Sequence, residues 1–135
     1  MIEWHGWATV RVTPENRDTE DDEEEEVLQE VRRIVAEASG NTNEVLDLRD
    51  VNYTRQLWFA GSHNHVATVV PVFEAIAAAA PGSYGLLYIH DDELPAPANN
   101  EWQVWVMKRG EVHQVPDPFL SPYRPTVEDS FSQDI

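Results

Sequence analysis

Residues 102–115 constrain the fold more tightly than any other stretch. Trp102, Val104 and Val106 alternate with Gln103, Trp105 and Met107, and a period of two belongs to a β-strand. Arg109-Gly110 supplies a tight turn, and Glu111 to Val115 returns as the partner strand. A hairpin commits this part of the chain to antiparallel pairing. Just upstream, Tyr84 to His90 is almost continuously hydrophobic, the pattern of a strand in the middle of a sheet.

Other elements follow from periodicity. Ile2 to Val12 reads as a strand, with β-branched Thr9, Val10 and Val12, stopped by Pro14. The acidic run Asp18 to Glu26 leads into a helix whose apolar stripe is Val27, Leu28, Val31, Ile34, Val35 and Ala38. Asp18 or Thr19 is the expected cap, the early carboxylates face the positive end of the helix dipole, and Gly40-Asn41 is the stop. Glu44 to Leu48 and Gln56 to Gly61 are short strand candidates joined through a turn at Asp50 to Tyr53. A second helix is expected from about Thr68 to Ala80, with Thr68 as cap, Pro71 in the first turn and Pro81-Gly82 as terminator. Pro116 to Ile135 reads as an extended, packed tail whose last residues fray. The order is strand, helix, two strands, helix, three strands. This predicts an α+β fold, a mostly antiparallel sheet of about five to six strands with two helices packed on it.

Length and charge narrow the function. The 135 residues suit one domain over 1–135. Acidic residues outnumber basic ones 25 to 9, for a net charge of -16. That balance opposes nucleic acid and anionic membrane surfaces and favours a basic partner. It also serves solubility alone. The chain has no Cys, which excludes a disulfide framework, a thiolate zinc site and a Cys nucleophile. No signal peptide is expected at Met1 to Gly6, and Val66 to Ala80 is too short and interrupted to span a bilayer. The cytoplasm is the expected location.

Few residue groups suggest chemistry. His63 and His65, two apart on a strand, would point the same way, and Asp91, Asp92 or Glu93 could supply a third ligand. This is the basis of one alternative, a small metal-dependent hydrolase; a loop and helix-entry role for the segment competes with it. Asp91-Asp92-Glu93 follows a central strand, so it is a candidate acid–base group, an acidic knob for a basic partner, or a solvated turn. Glu23 and Glu24, within the acidic run, could imitate a phosphate backbone, the basis of a second alternative, a nucleic-acid mimic that inhibits nucleases; a solvated helix start competes with it. Trp7, Trp58 and Trp105 lie in strand patterns that suggest core, whereas Trp4 and Trp102 lie near strand starts and are candidate exposed anchors, although core remains the better assignment for each singly. No serine has a nucleophile-elbow context and no glycine-rich phosphate loop exists. No cofactor, metal or catalytic residue is assigned.

Four segments together resemble the Imm7 family of immunity proteins from bacterial polymorphic toxin systems. They are His5 to Val10; Asn64-His65; Ala80 to Tyr88 with Asp91-Asp92-Glu93; and Arg109-Gly110 with Asp117 to Pro122 and Pro125 to Asp129. They span nearly the whole chain in order. The resemblance implies an α+β cytoplasmic protein that binds the C-terminal domain of a toxin encoded beside it and inhibits without catalysis. It does not specify the toxin's chemistry. The partner-contact candidates are Asp91, Asp92, Glu93 and Trp102, with Glu23 and Glu24 second. The polar positions that carry the resemblance also admit a structural reading.

Overall fold

The structure, a computed structural model, describes residues 1–40, 44–64 and 68–129. Its elements are β1 (Ile2–Val10), α1 (Asp21–Ala38), β2 (Glu44–Val51), β3 (Thr54–His63), α2 (Val69–Ala79), β4 (Tyr84–Asp91), β5 (Gln103–Lys108) and β6 (Glu111–Pro116). The strands form one six-stranded sheet in the order β2-β3-β1-β4-β5-β6, and every pairing is antiparallel. The fold is α+β, with the two helices packed on the sheet.

Alternation along β1 decides which side of the sheet is dry. Ile2, Trp4, Ala8 and Val10 are buried and point to the helices. Register carries that parity across the sheet: Leu57 and Phe59 on β3, Leu87 and Ile89 on β4, and Met107 on β5 join the same core. Leu28 and Val31 of α1 and Phe73, Ile76 and Ala77 of α2 close it from above, with the Phe59 and Phe73 rings edge to face at 5.6 Å. Trp105 packs on this cluster from β5, as its strand pattern suggests.

The helix ends differ in detail from the sequence reading. Glu20, not Asp18 or Thr19, occupies the N-cap of α1, and no side chain caps the helix. The Thr19 hydroxyl is taken instead by the Glu24 carboxylate, and the four acidic residues of the first turn favour the dipole's positive end without a cap bond. Thr68 does cap α2 in position, but its hydroxyl donates to Glu44 at 3.3 Å. The helix ends at Ser39, whose N–H bonds the Val35 carbonyl, and Gly40 follows at φ 113°, a conformation that glycine adopts freely; Asn41 lies outside the described residues. β2 and β3 extend beyond their expected ends because Asn52 and Tyr53, both at positive φ, compress the connection into a tight turn. Among the described residues, no helix is long and apolar enough to cross a membrane.

Candidate functional site

The opposite parity forms the outer face, and among the described residues no helix covers it. Trp7 of β1 stands across from Trp58 of β3 and Leu86 of β4. Leu86 in turn faces Val106 of β5. Trp7 and Trp58 are 38% and 40% exposed, and Tyr84 is 46% exposed. Tyr84 meets Trp7 edge to face at 6.2 Å, so these two rings brace one another across β1 and β4, with Trp58 opposite Trp7 on β3. The assignment of Trp7 and Trp58 to the core is therefore corrected. Each has the parity of polar neighbours (Glu3, His5 and Thr9 for Trp7, Gln56 for Trp58), and helices cover only the other side. Trp4 is 1% exposed and is a core residue, which agrees with the favoured assignment and removes it as an exposed anchor.

At the Ile2 end of this face the chain beyond β6 folds back and covers it. The backbone N–H of Asp117 donates to the Trp102 carbonyl at 3.0 Å. Asn100 clamps the segment: its Oδ1 accepts from the N–H groups of Tyr123 and Arg124 at 2.7 and 3.0 Å, and its Nδ2 donates to the Arg124 carbonyl. Trp102 lies half-buried between His5 and His90, with ring centroids 5.8 and 5.5 Å away. Tyr123 contacts His90 from the tail, at 5.1 Å. His90 and Val104 are among the buried residues of the outer face.

The acidic turn after β4 sits at this same end. Asp92 Oδ1 receives the Met1 ammonium at 2.6 Å, and its Oδ2 accepts from the Tyr123 hydroxyl at 3.2 Å. The ammonium, and then the tyrosine, hold the Asp92 carboxyl below its ordinary range. Asp91 Oδ1 accepts from the Glu93 backbone N–H at 3.0 Å, an Asx turn that shapes the corner. Asp91, Asp92, Glu93 and Trp102 thus lie around one corner, where Asp92 joins the N-terminus to the tail.

Glu23 and Glu24 lie at the other end. Arg17 grips Glu23 through both guanidinium NH2 groups at 2.7 and 3.1 Å, and Arg55 reaches Glu24 at 3.1 Å. The Arg17 contact lowers the Glu23 pKa. Arg55 pairs with Val10, whereas Asp91 pairs with Ile2; the nine residues of β1 separate those ends by about 27 Å. The fold does not bring the two acidic candidates together. Between Glu24 and Tyr84 opens a cavity of about 370 Å³, bordered by Arg11, Arg17, Tyr53 and Arg55 as well.

The proposed metal ligands are also set apart. His63 and Asp91 both pair with Ile2, from opposite sides, which puts two strand spacings, roughly 9.6 Å, between their backbones. His65 lies outside the described residues. Among the described residues, no group of three or more His, Asp or Glu is placed to hold a metal ion.

A profile of the Imm7 family, Immunity protein 7, matches residues 1–129. The chain belongs to this family. No curated protein and no solved structure shows significant similarity to it. Several residues in the segments that carry the Imm7 resemblance hold the fold together. The Ser83 hydroxyl accepts from the Arg11 N–H at 3.0 Å and donates to the Arg11 carbonyl at 3.4 Å, tying the α2–β4 turn to the end of β1. A Cβ on Gly82 would stand 2.3 Å from the Thr13 carbonyl oxygen, so only glycine permits that approach. In the tail, Asp117 Oδ2 accepts from Leu120 N–H at 3.0 Å, and both Glu128 oxygens accept from Ser121 N–H, at 2.7 and 2.9 Å. Those backbone bonds lower the Glu128 pKa. The tail through Asp129 is thus an irregular, hydrogen-bonded segment that buries Asp117 and Ser121 and leaves Phe119, Leu120, Tyr123 and Val127 exposed.

The residues that sequence reasoning missed are Trp7, Trp58 and Tyr84 as an exposed set. A signal existed for Trp7, because Glu3, His5, Thr9 and Arg11 share its parity.

Proposed function

We propose that this chain is a non-catalytic immunity protein that binds a cognate toxin C-terminal domain and neutralises it by covering the active site or an adjacent surface. The family match over residues 1–129 carries this reading. The charge of -16 supports a basic partner, drawn in by long-range attraction, and disfavours nucleic acid and anionic membranes as binding surfaces. The chain acts in the cytoplasm on this reading. Asp91, Asp92 and Glu93, together with Trp102, form the first acidic contact candidate; Glu23 and Glu24 form the second.

Co-expression with the C-terminal domain encoded immediately upstream tests the proposal, read as growth rescue and as co-purification at low and high salt. Rescue with a stable complex is expected, weakened by salt. Growth arrest with no complex would overturn it. Charge reversal at Asp91, Asp92 and Glu93 is expected to slow association by about tenfold if these groups lie at the rim. Unchanged association and dissociation rates would remove that corner from the binding surface.

A further inference from the structure

We infer that the uncovered half of the outer face, centred on Trp7, Trp58 and Tyr84, is the surface on which the toxin domain docks, and that the docking patch presents arginine or lysine around an apolar or planar centre. This inference rests on the immunity reading and adds the face that binds.

The tail supplies the first argument. It reaches His90 through the Tyr123 ring and the Trp102 carbonyl through the Asp117 N–H at one end of the outer face. At the other end two tryptophans and a tyrosine stay open to solvent on paired strands. Contiguous exposed apolar surface on a folded protein marks interaction sites, and Trp and Tyr dominate their energetics. The core stands without these rings, since Trp4, Phe59, Phe73 and Leu87 fill the other side of the sheet.

Rigidity is the second argument. Trp7 sits on a central strand, paired on both sides, and Tyr84 braces it. Rings held this way lose little conformational freedom on binding.

Charge selects the occupant. Indole and phenol faces attract guanidinium and ammonium groups. Asp47 stands opposite Trp58 and is paired with Arg49 at 2.8 Å, so the preference for a basic partner comes from the field of the whole molecule, which carries -16. A basic surface is complementary to that field. A second copy of this chain would bring the same negative charge against it, which opposes self-association.

The test uses the full-length chain and, as probe, the upstream-encoded C-terminal domain carrying an inactivating active-site substitution. W7A/W58A is expected to raise the dissociation constant by at least about 100-fold, while W7F/W58F, which keeps aromatic surface, recovers most of the affinity. In unaltered chain labelled with 5-fluorotryptophan, the fluorine resonances of Trp7 and Trp58 are expected to shift on binding while that of Trp4 does not. This readout decides the matter even if the alanine variant folds poorly. Wild-type binding with no loss in W7A/W58A and no resonance shift overturns the inference and leaves the immunity reading standing. Failure of the unaltered chain to bind or to rescue growth overturns both. Self-association of the unaltered chain that W7A/W58A abolishes assigns the face to a second copy and overturns the choice of partner.

Discussion

Trp4 and Trp7 sit on the same strand and look alike in sequence, yet one is 1% exposed and the other 38%. The difference is parity. Trp4 points into the layer between sheet and helices; Trp7 points to the opposite face, which neither described helix covers. The outer face is itself divided. Around Trp102 and His90 the chain returns and seals the sheet with backbone hydrogen bonds. Among the described residues, none returns to bury Trp7 and Trp58, which stay 38% and 40% exposed. Hydrophobicity alone therefore does not distinguish a residue that holds this protein together from one available to hold another; the number of layers above it does.

The contrast is sharpest in stability. Trp4→Ala is expected to cost about 3–5 kcal/mol, because it empties the centre of the core; chemical denaturation measures this, and a cost below 1 kcal/mol would mean that the core does not depend on that ring. Ser83→Ala removes both bonds to the Arg11 backbone and is expected to cost about 1–3 kcal/mol, since a part-buried N–H loses its acceptor. No change would place a water or another partner there. Trp7→Ala is expected to move stability by under about 1 kcal/mol, and a loss as large as that of Trp4→Ala would break the distinction between the faces.

A smaller, pH-dependent effect separates the sealed end from the open end. Asp92 and Glu128 have folded pKa values below their ordinary 3.8 and 4.5. Their contribution is fully present above those ordinary values and is lost as pH falls through the lowered ones. The Met1 ammonium is shifted upward by Asp92, so its contribution is present below its ordinary 8.0 and lost as pH rises through the raised value. Proteolysis of the tail is therefore expected to quicken in acid below about pH 4 and, more weakly, in alkali. D92N/E128Q should flatten the acid limb. An unaltered acid limb in that variant would show that the tail is held by packing rather than by these carboxylates.

The fold was legible wherever a local pattern repeated. The stripe from Val27 to Ala38 marks α1, the alternation of residues 102–107 marks the hairpin, and the hydrophobic run at Tyr84 marks a central strand; β4 is central. Helix caps were less legible, because Thr19 and Thr68 found carboxylates instead of backbone N–H groups. The acidic candidates were visible as charges, but their neighbours were not. That Glu23 holds Arg17, or that Asp92 receives the N-terminus, depends on contacts between distant segments.

By itself the sequence determined the α+β order of elements, the strand and helix periods, the acidic balance and the resemblance to Imm7, because these reside in local spacing and composition. Only the tertiary structure decided which parity of each strand is dry, which tryptophans are core and which half of the outer face stays open. Those outcomes depend on strand register and on where the tail lands, and both are fixed by pairing between residues far apart in the chain.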